Sequence, residues 1–194
     1  GIRPLEAAKL YIDKAKEAGI NCAKFQSYKA RTIVSKNSPA YWDITKETTK
    51  TQYELFLKYD GFGKEEYKEL CDYTHAKGMD FTSTPFDYDS VDYLEDMVDF
   101  YKISSSDLSN LPFIQYIGMK GKPVYISVGA SYISEVDVAI RTLKEAGCKD
   151  IVVFHCVLSY PTEPKDANLR VIETLKKVFP DVRIGFSDHV APDE

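Results

Sequence analysis

Tyr101-Lys102-Ile103-Ser104-Ser105-Ser106-Asp107 is the most informative stretch for the architecture of this chain. An apolar strand carries a lysine near its end and is followed by three serines and an aspartate. A helix is predicted to begin at Asn110-Leu111-Pro112. A cation and several hydroxyls at a strand end suit a bound phosphate or carboxylate. Taken alone, the stretch favours a plainer interpretation, a solvent-directed lysine beside a Ser-rich helix cap. The same pattern recurs at other strand ends, and this recurrence favours a binding site.

Composition narrows the class of protein. The chain has 194 residues, of which 44% are hydrophobic, enough to bury the core of one domain. There are 25 Lys+Arg against 30 Asp+Glu, and the absence of a basic stripe argues against a nucleic-acid partner. An anionic small substrate is compatible with a net charge of -5, because a few buried lysines can form a positive pocket. With no membrane-length apolar run and no signal-peptide pattern, a cytoplasmic protein without a membrane partner is expected.

The four cysteines are scattered and form no CxxC pair. Cys22 and Cys156 lie within apolar strands, so buried free thiols in a reducing compartment are predicted rather than a zinc site.

Short apolar runs alternate with one-sided helical patterns along most of the chain. Near-continuous apolar strands are buried on both faces, which predicts a parallel sheet covered by helices. The segment 27–50, with Pro39 and Trp42, lacks periodicity and is interpreted as a functional lid or a poorly ordered loop. Strands are predicted over 21–26, 79–84, 99–104, 123–128, 151–156 and 183–187, and helices over 4–18, 51–58, 64–77, 90–97, 112–119, 134–146 and 168–179.

Two architectures fit this alternation, a doubly wound open sheet and a (β/α)8 TIM barrel. Polar side chains at the ends of many strands favour the barrel, where all those ends meet at one mouth. No Gly-rich dinucleotide motif is present. Since six strands are found and a barrel needs eight, residues 1–194 are interpreted as an α/β barrel fragment, incomplete at both ends. The polar strand-end residues are Gln26, Thr84, Ser104, Ser105, Ser127, His155, Ser187, Asp188 and His189.

Six motifs in order resemble the sialic acid synthase family, which includes N-acetylneuraminate, legionaminate and pseudaminate synthases and spore-coat polysaccharide relatives. The resemblance extends over essentially the whole chain. The motifs are Ala23-Lys24-Phe25-Gln26, Ser83-Thr84-Pro85-Phe86, the stretch 101–107, His155-Cys156 with Tyr160-Pro161, Asn168-Leu169, and Gly185-Phe186-Ser187-Asp188-His189.

The resemblance implies condensation of phosphoenolpyruvate with an N-acylated mannosamine-type sugar, giving a nine-carbon 2-keto acid and phosphate. It also implies a (β/α)8 barrel, a divalent metal (typically manganese), and a homodimer formed by the full-length protein through a C-terminal antifreeze-like domain. That domain, a first-strand Glu and a second metal-binding His are not found in this chain. Two alternatives therefore stay open: a related phosphoenolpyruvate-dependent aldol-type synthase acting on another aldose, and a non-catalytic barrel fragment that retains anion binding.

Site residues are implied by the same resemblance. Asp107 occupies a catalytic position where many relatives have Glu, and Leu158 stands where some have Asn. A Ser-His-Asp hydrolase triad at 187–189 is disfavoured, because sequence neighbours at a strand end do not align as a triad. His155 is assigned to structure or orientation rather than to chemistry. The implied roles are phosphate and carboxylate neutralisation for Lys24 and Lys102, hydroxyl contacts to the same anion for Ser105, Ser127 and Ser187, substrate contacts for Thr84 and Phe86, sugar contacts for Gln26 and Tyr160, and metal ligation for His189.

Overall fold

The computed structural model describes residues 2–191, which divide into two compact units between Asp99 and Phe100. Strands and helices alternate in the second unit, whereas three helices separate the two strands of the first unit. Every strand pair among the described residues is parallel. None of the helices in this part of the chain is both long and apolar enough to cross a membrane.

The first unit contains two paired strands and five helices. Local signals account for several helix boundaries: Pro4 lies in the first turn of the first helix, Thr51 and Glu54 form a capping box, and the Asp87 side chain accepts from the Ser90 N–H. The elements are α1 (Pro4–Glu17), β1 (Cys22–Ser27), α2 (Ala30–Ile33), α3 (Gln52–Tyr59), α4 (Lys64–Ala76), β2 (Asp80–Pro85) and α5 (Tyr88–Leu94).

Strands β1 and β2 pair in parallel from Cys22 opposite Asp80 to Ser27 opposite Pro85. Helices α4 and α5 pack against β2, which is buried from Phe81 to Pro85, whereas β1 is only partly buried. Core side chains of this unit include Ile12, Leu70, Phe81, Val91 and Leu94.

The second unit is a four-stranded parallel sheet in the order β3-β4-β5-β6. Its elements follow one another as strand and helix, with two short 3-10 turns after strands, at Ser105–Asp107 and Pro164–Asp166. The elements are β3 (Tyr101–Ile103), α6 (Leu111–Gly118), β4 (Val124–Ser127), α7 (Ile133–Glu145), β5 (Ile151–His155), α8 (Val171–Val178) and β6 (Arg183–Phe186).

The segment 27–50 differs from the predicted irregular loop. It contains α2, and Pro39 forms an antiparallel bridge with Thr51. The Trp42 indole Nε1–H donates to the carbonyl oxygens of Glu47 (3.1 Å) and Thr49 (3.2 Å). Side-chain-to-backbone bonds of this kind order a segment without leaving a periodic pattern, which is why the sequence did not reveal them.

The cysteines are all free. Cys71, Cys148 and Cys156 are buried as predicted, whereas Cys22 is only partly buried. Burial together with the nearby Asp80 carboxylate raises the pKa of the Cys22 thiol to about 12.

Candidate anion-binding site at the carboxyl ends of the strands

Lys102 carries a buried ammonium group near the end of β3, with 7% of the residue exposed. Parallel pairing sets Lys102 opposite Tyr125, and alternation then puts Ser127 on the same face two residues further along β4. The Lys102 Nζ donates to Ser127 Oγ (2.6 Å) and to the carbonyl of Ile103 (2.7 Å), and it lies 5.8 Å from the centre of the Phe154 ring. These contacts hold a positive charge beside a hydroxyl at the carboxyl end of the sheet.

Ser105 connects three successive strand ends. It begins the turn after β3, and its Oγ accepts from the backbone N–H of Gly129, just beyond β4, at 2.9 Å. The same Oγ lies 3.1 Å from the sulfur of Cys156, just beyond β5. Ser104 and Ser106 instead bond to each other, Oγ to Oγ at 3.0 Å, and stabilise the turn. Of the three consecutive serines, Ser105 is therefore the one joined to the neighbouring strand ends.

Asp107 ends the same turn and is partly buried. Burial raises the pKa of its carboxyl group, while hydrogen bonds from Asn110 and Ser106 oppose the rise. A carboxyl group in such surroundings holds a proton at higher pH than an exposed aspartate does, which is a property of acid–base groups.

Ser187 and His189 follow β6. The Ser187 N–H donates to the His155 carbonyl at 2.8 Å, which continues the β5–β6 pairing beyond the strands. The His155 ring stacks on Phe186, and its Nε2 lies 2.8 Å from the carbonyl of Ala167. His155 is thus held by structural contacts, in agreement with the role predicted for it.

His189 is held in one ring orientation. Its Nδ1 lies 2.7 Å from the carbonyl oxygen of Val157, and because a carbonyl only accepts, Nδ1 carries the proton. A proton on Nδ1 leaves Nε2 as the ring nitrogen that could ligate a metal, the arrangement usual in metal-ligating histidines. The ring also lies 4.4 Å from the ring of Tyr160, which is 65% exposed and precedes Pro161 through a cis peptide bond.

The side chains around His189 can be compared with two kinds of site, a metal site and a hydrolase triad. Within residues 2–191, no group of three or more His, Cys, Asp or Glu side chains could hold a metal ion. Within residues 2–191, His189 is therefore part of no such group. The Asp188 carboxylate accepts from the Val190 N–H at 2.9 Å, and His189 bonds to a backbone carbonyl, so the disfavoured triad at 187–189 does not form.

In the first unit, the register places Lys24 opposite Thr82 and Gln26 opposite Thr84, so these four side chains share one face. Thr84 is buried, with 3% exposed. Lys24 is exposed, whereas Lys102 is buried. Partial desolvation by the surrounding strand still lowers the pKa of Lys24.

Contacts within the first unit hold the backbone at Gln26 and Phe86. The Tyr67 hydroxyl, reaching from α4, donates to the Gln26 carbonyl at 2.6 Å. The Phe86 N–H donates to the Ser27 carbonyl at 3.1 Å, and the Phe86 ring meets Tyr28 edge-on at 6.2 Å. The predicted site residues thus form two groups, Lys24, Gln26, Thr84 and Phe86 in the first unit, and Lys102, Ser105, Asp107, Ser127, Tyr160, Ser187 and His189 in the second.

Sequence reasoning missed Tyr67, Gly129 and Cys156 as neighbours of these residues. Tyr67 lies in an amphipathic helix pattern that explains it as a core residue. Gly129 lies two residues beyond β4 and Cys156 directly follows β5, and that position was the only signal available for them.

Comparisons with known proteins identify the relatives of this chain. The profile of the NeuB family matches residues 11–193. The chain is 38% identical over 186 residues to an uncharacterized protein of Methanocaldococcus jannaschii, covering 95% of this chain and 51% of that protein. It is 35% identical over 192 residues to the N,N'-diacetyllegionaminic acid synthase of Legionella pneumophila, covering 95% of this chain and 53% of the synthase. The chain spans about half the length of the curated relatives that it matches.

Solved structures of other proteins superpose on this chain. The N-acetylneuraminic acid synthetase of Leptospira borgpetersenii, solved in complex with citrate, superposes with a TM-score of 0.84 at 33% identity, over 96% of this chain and 60% of that one. A truncated 3-deoxy-D-arabino-heptulosonate 7-phosphate synthase of Thermotoga maritima shares the fold alone, at 13% identity, over 91% of this chain and 56% of that one, with a TM-score of 0.64. The predicted fold class, an α/β fold of parallel strands that is part of a (β/α)8 barrel, is confirmed.

Proposed function

This chain belongs to the NeuB family, its relatives include sugar-acid synthases, and we propose that it forms the barrel part of an enzyme that condenses phosphoenolpyruvate with an N-acylated mannosamine-type sugar. The products would be a nine-carbon 2-keto sugar acid and phosphate, for cell-surface carbohydrate synthesis. The observation that carries the proposal is the buried Lys102 ammonium, held against Ser127 Oγ at a strand's carboxyl end. An enclosed cation beside hydroxyl donors is what a phosphate or carboxylate group needs.

In this proposal, Lys102 and Lys24 neutralise the phosphate and carboxylate of phosphoenolpyruvate, and Ser105, Ser127 and Ser187 donate hydrogen bonds to the same anion. The lowered pKa of Lys24 reflects its partial desolvation, and a bound anion would offset the cost of keeping that ammonium charged.

The sugar would lie against Gln26, Thr84, Phe86 and Tyr160. Asp107, whose pKa burial raises, would hold or accept a proton at its carboxyl oxygen during the condensation. A divalent metal, manganese in this proposal, would be held by His189 Nε2 and, when bound, would polarise the carbonyl of the sugar for attack. The free cysteines support a reducing cytoplasm as the place of the reaction.

Calorimetric titration of the chain with phosphoenolpyruvate, with and without Mn²⁺, tests the anion site. Lys102→Ala should abolish binding, whereas Lys177→Ala, which removes an exposed lysine from α8, should leave it unchanged. A folded wild-type chain that binds no phosphoenolpyruvate would contradict the proposal.

Turnover assays separate the alternatives. Phosphate release with N-acylated mannosamine-type sugars supports the proposed reaction, and release only with other aldoses supports a related aldol-type synthase. Phosphoenolpyruvate binding without turnover on any sugar supports a non-catalytic barrel that retains the anion site.

A further inference from the structure

The hydroxyl group of Ser105 lies between two partners that limit what else it can bind. Its oxygen has two lone pairs and its one proton can be donated once. The Gly129 N–H donates to the oxygen at 2.9 Å and fills one lone pair. The Cys156 sulfur lies 3.1 Å from the same oxygen, and either atom of that pair can be the donor. The direction of the hydrogen bond between Ser105 Oγ and Cys156 Sγ therefore decides whether the hydroxyl proton is available to a ligand.

Only one direction is compatible with an anion. If Ser105 donates to the sulfur, its proton is no longer available to a ligand. The remaining lone pair of the Ser105 oxygen would then face the anion and repel it. If the Cys156 thiol donates to Ser105 Oγ, both lone pairs are filled and the hydroxyl proton is left for the ligand. A phosphate or carboxylate group only accepts hydrogen bonds, so it requires the second arrangement.

The surroundings keep the thiol against this hydroxyl. Cys156 is 4% exposed, so its sulfur cannot exchange Ser105 for bulk water. Gly129 allows the close approach: a Cβ at this position would lie 2.7 Å from the Cys156 sulfur and 3.1 Å from the Cys156 carbonyl oxygen. The bare backbone of Gly129 therefore both donates to Ser105 and leaves room for the thiol.

We propose that Cys156 is a positioning residue of the anion site, whose S–H donates to Ser105 Oγ when an anion is bound and so directs the Ser105 O–H to that anion. The inference rests on the proposed function, because it assumes that Ser105 contacts the phosphate or carboxylate of phosphoenolpyruvate. It adds a role for a thiol that touches no substrate itself.

Binding of phosphoenolpyruvate to the full chain gives the first test. Cys156→Ala removes the donor and should weaken binding roughly three- to tenfold, the worth of one hydrogen bond. Cys156→Ser restores an O–H donor and should recover most of the affinity. Cys148→Ala is the matched control, since the Cys148 thiol is equally buried but donates to the carbonyls of Lys122 and Asp150. The affinity of this variant for phosphoenolpyruvate should equal that of the wild type.

Infrared spectroscopy gives a second test, because the frequency of the S–H stretching band reports whether the Cys156 thiol donates a hydrogen bond. The difference between the wild-type and Cys156→Ala spectra isolates the S–H stretching band of this one thiol. With phosphoenolpyruvate bound, that band should lie at lower frequency in the wild type than in Ser105→Ala, because a donating S–H bond is weakened. An unchanged band would overturn the proposal.

The outcomes distinguish this inference from the function on which it rests. Wild-type affinity in Cys156→Ala, together with loss of binding in Lys102→Ala, overturns the role of Cys156 and leaves the anion site standing. Weakened binding in both Cys156→Ala and Cys156→Ser also overturns it, because the effect would then come from the volume of the side chain. No binding by the folded wild-type chain overturns both.

Discussion

The Nζ of Lys102 and the Oγ of Ser127 lie 2.6 Å apart and join β3 to β4 near their carboxyl ends. The two residues are 25 positions apart in sequence, and the parallel register alone brings them onto one face. Because the ammonium is buried, each partner affects the stability of the protein as well as its ability to hold an anion.

Ser127→Ala should destabilise the protein more than Lys102→Met does. Removing the hydroxyl takes an acceptor from a buried ammonium, which costs about 1–3 kcal/mol, whereas replacing the buried charge by an apolar side chain of similar length is often neutral. Urea denaturation measures the two free energies of unfolding. Ser159→Ala, which removes an exposed hydroxyl bonded to the Pro161 carbonyl, serves as the control. The reverse order for Ser127 and Lys102 would show that the ammonium itself stabilises the fold.

Gly129→Ala should lower the free energy of unfolding by about 1–3 kcal/mol, because the new methyl group overlaps a packed region. The added Cβ would meet Cys156 Sγ at 2.7 Å, Leu158 Cγ at 3.0 Å and the Cys156 carbonyl at 3.1 Å. Combining it with Cys156→Ala should recover only part of the loss, since the carbonyl and the leucine remain. Gly61→Ala is the control, because nothing lies within 4 Å of a Cβ there. Equal stabilities for the two alanine variants would contradict the predicted overlap.

Tyr67→Phe should cost about 0.5–1.5 kcal/mol of unfolding free energy, the net value of one hydrogen bond. The lost bond is the 2.6 Å contact with the Gln26 carbonyl, and the ring remains to stack on Tyr93. Tyr73→Phe, on the same helix, removes a hydroxyl that donates to the partly buried carboxylate of Asp13. It should cost less, because Tyr73 is itself less buried than Tyr67. Thermal unfolding followed by circular dichroism compares the two. A larger loss in Tyr73→Phe would mean that the Gln26 contact contributes little.

Asp107→Asn should stabilise the protein at neutral pH. Burial raises the pKa of Asp107 above its ordinary value of 3.8, so the folded state binds this proton more tightly than the unfolded state. Stability therefore falls as the pH rises from 3.8 through the raised folded value, and the variant avoids that loss. Its advantage in melting temperature should be present at pH 7 and absent below pH 3.8.

Asp13→Asn should behave in the opposite way and serves as the reference. Hydrogen bonds from Lys77 and Tyr73 hold the pKa of Asp13 below 3.8, so its contribution is present above that pH and is lost as the pH falls through the folded value. The asparagine variant should be less stable than the wild type at neutral pH. The same sign of change for both variants at pH 7 would contradict the assignment.

Most of the fold was predictable, and the differences have local causes. The strand predicted over 99–104 is shorter, at Tyr101–Ile103. Asp99 instead exchanges backbone and side-chain bonds with Phe81, and its carboxylate meets the His75 Nε2 at 2.8 Å. These partners lie 18 and 24 residues away, beyond the range of any periodic pattern.

The candidate site was predictable as a set of strand-end residues, and the family was confirmed by comparison. The environments of those residues were not predictable. Lys24 and Lys102 look alike in sequence, yet one is exposed and the other enclosed. The difference comes from what packs over each strand, which depends on distant segments.

The amino-acid sequence by itself determined the alternation of strands and helices, the polar residues at the strand ends and the family, because hydrophobic period and motif order are properties of neighbouring residues. Only the tertiary structure decided which hydroxyl meets which partner. Ser105 and Cys156 are 51 residues apart, and their contact exists because β3, β4 and β5 lie side by side and end at the same edge. Parallel pairing is a long-range interaction, so its register and the contacts at its edge arise only when the whole sheet has formed.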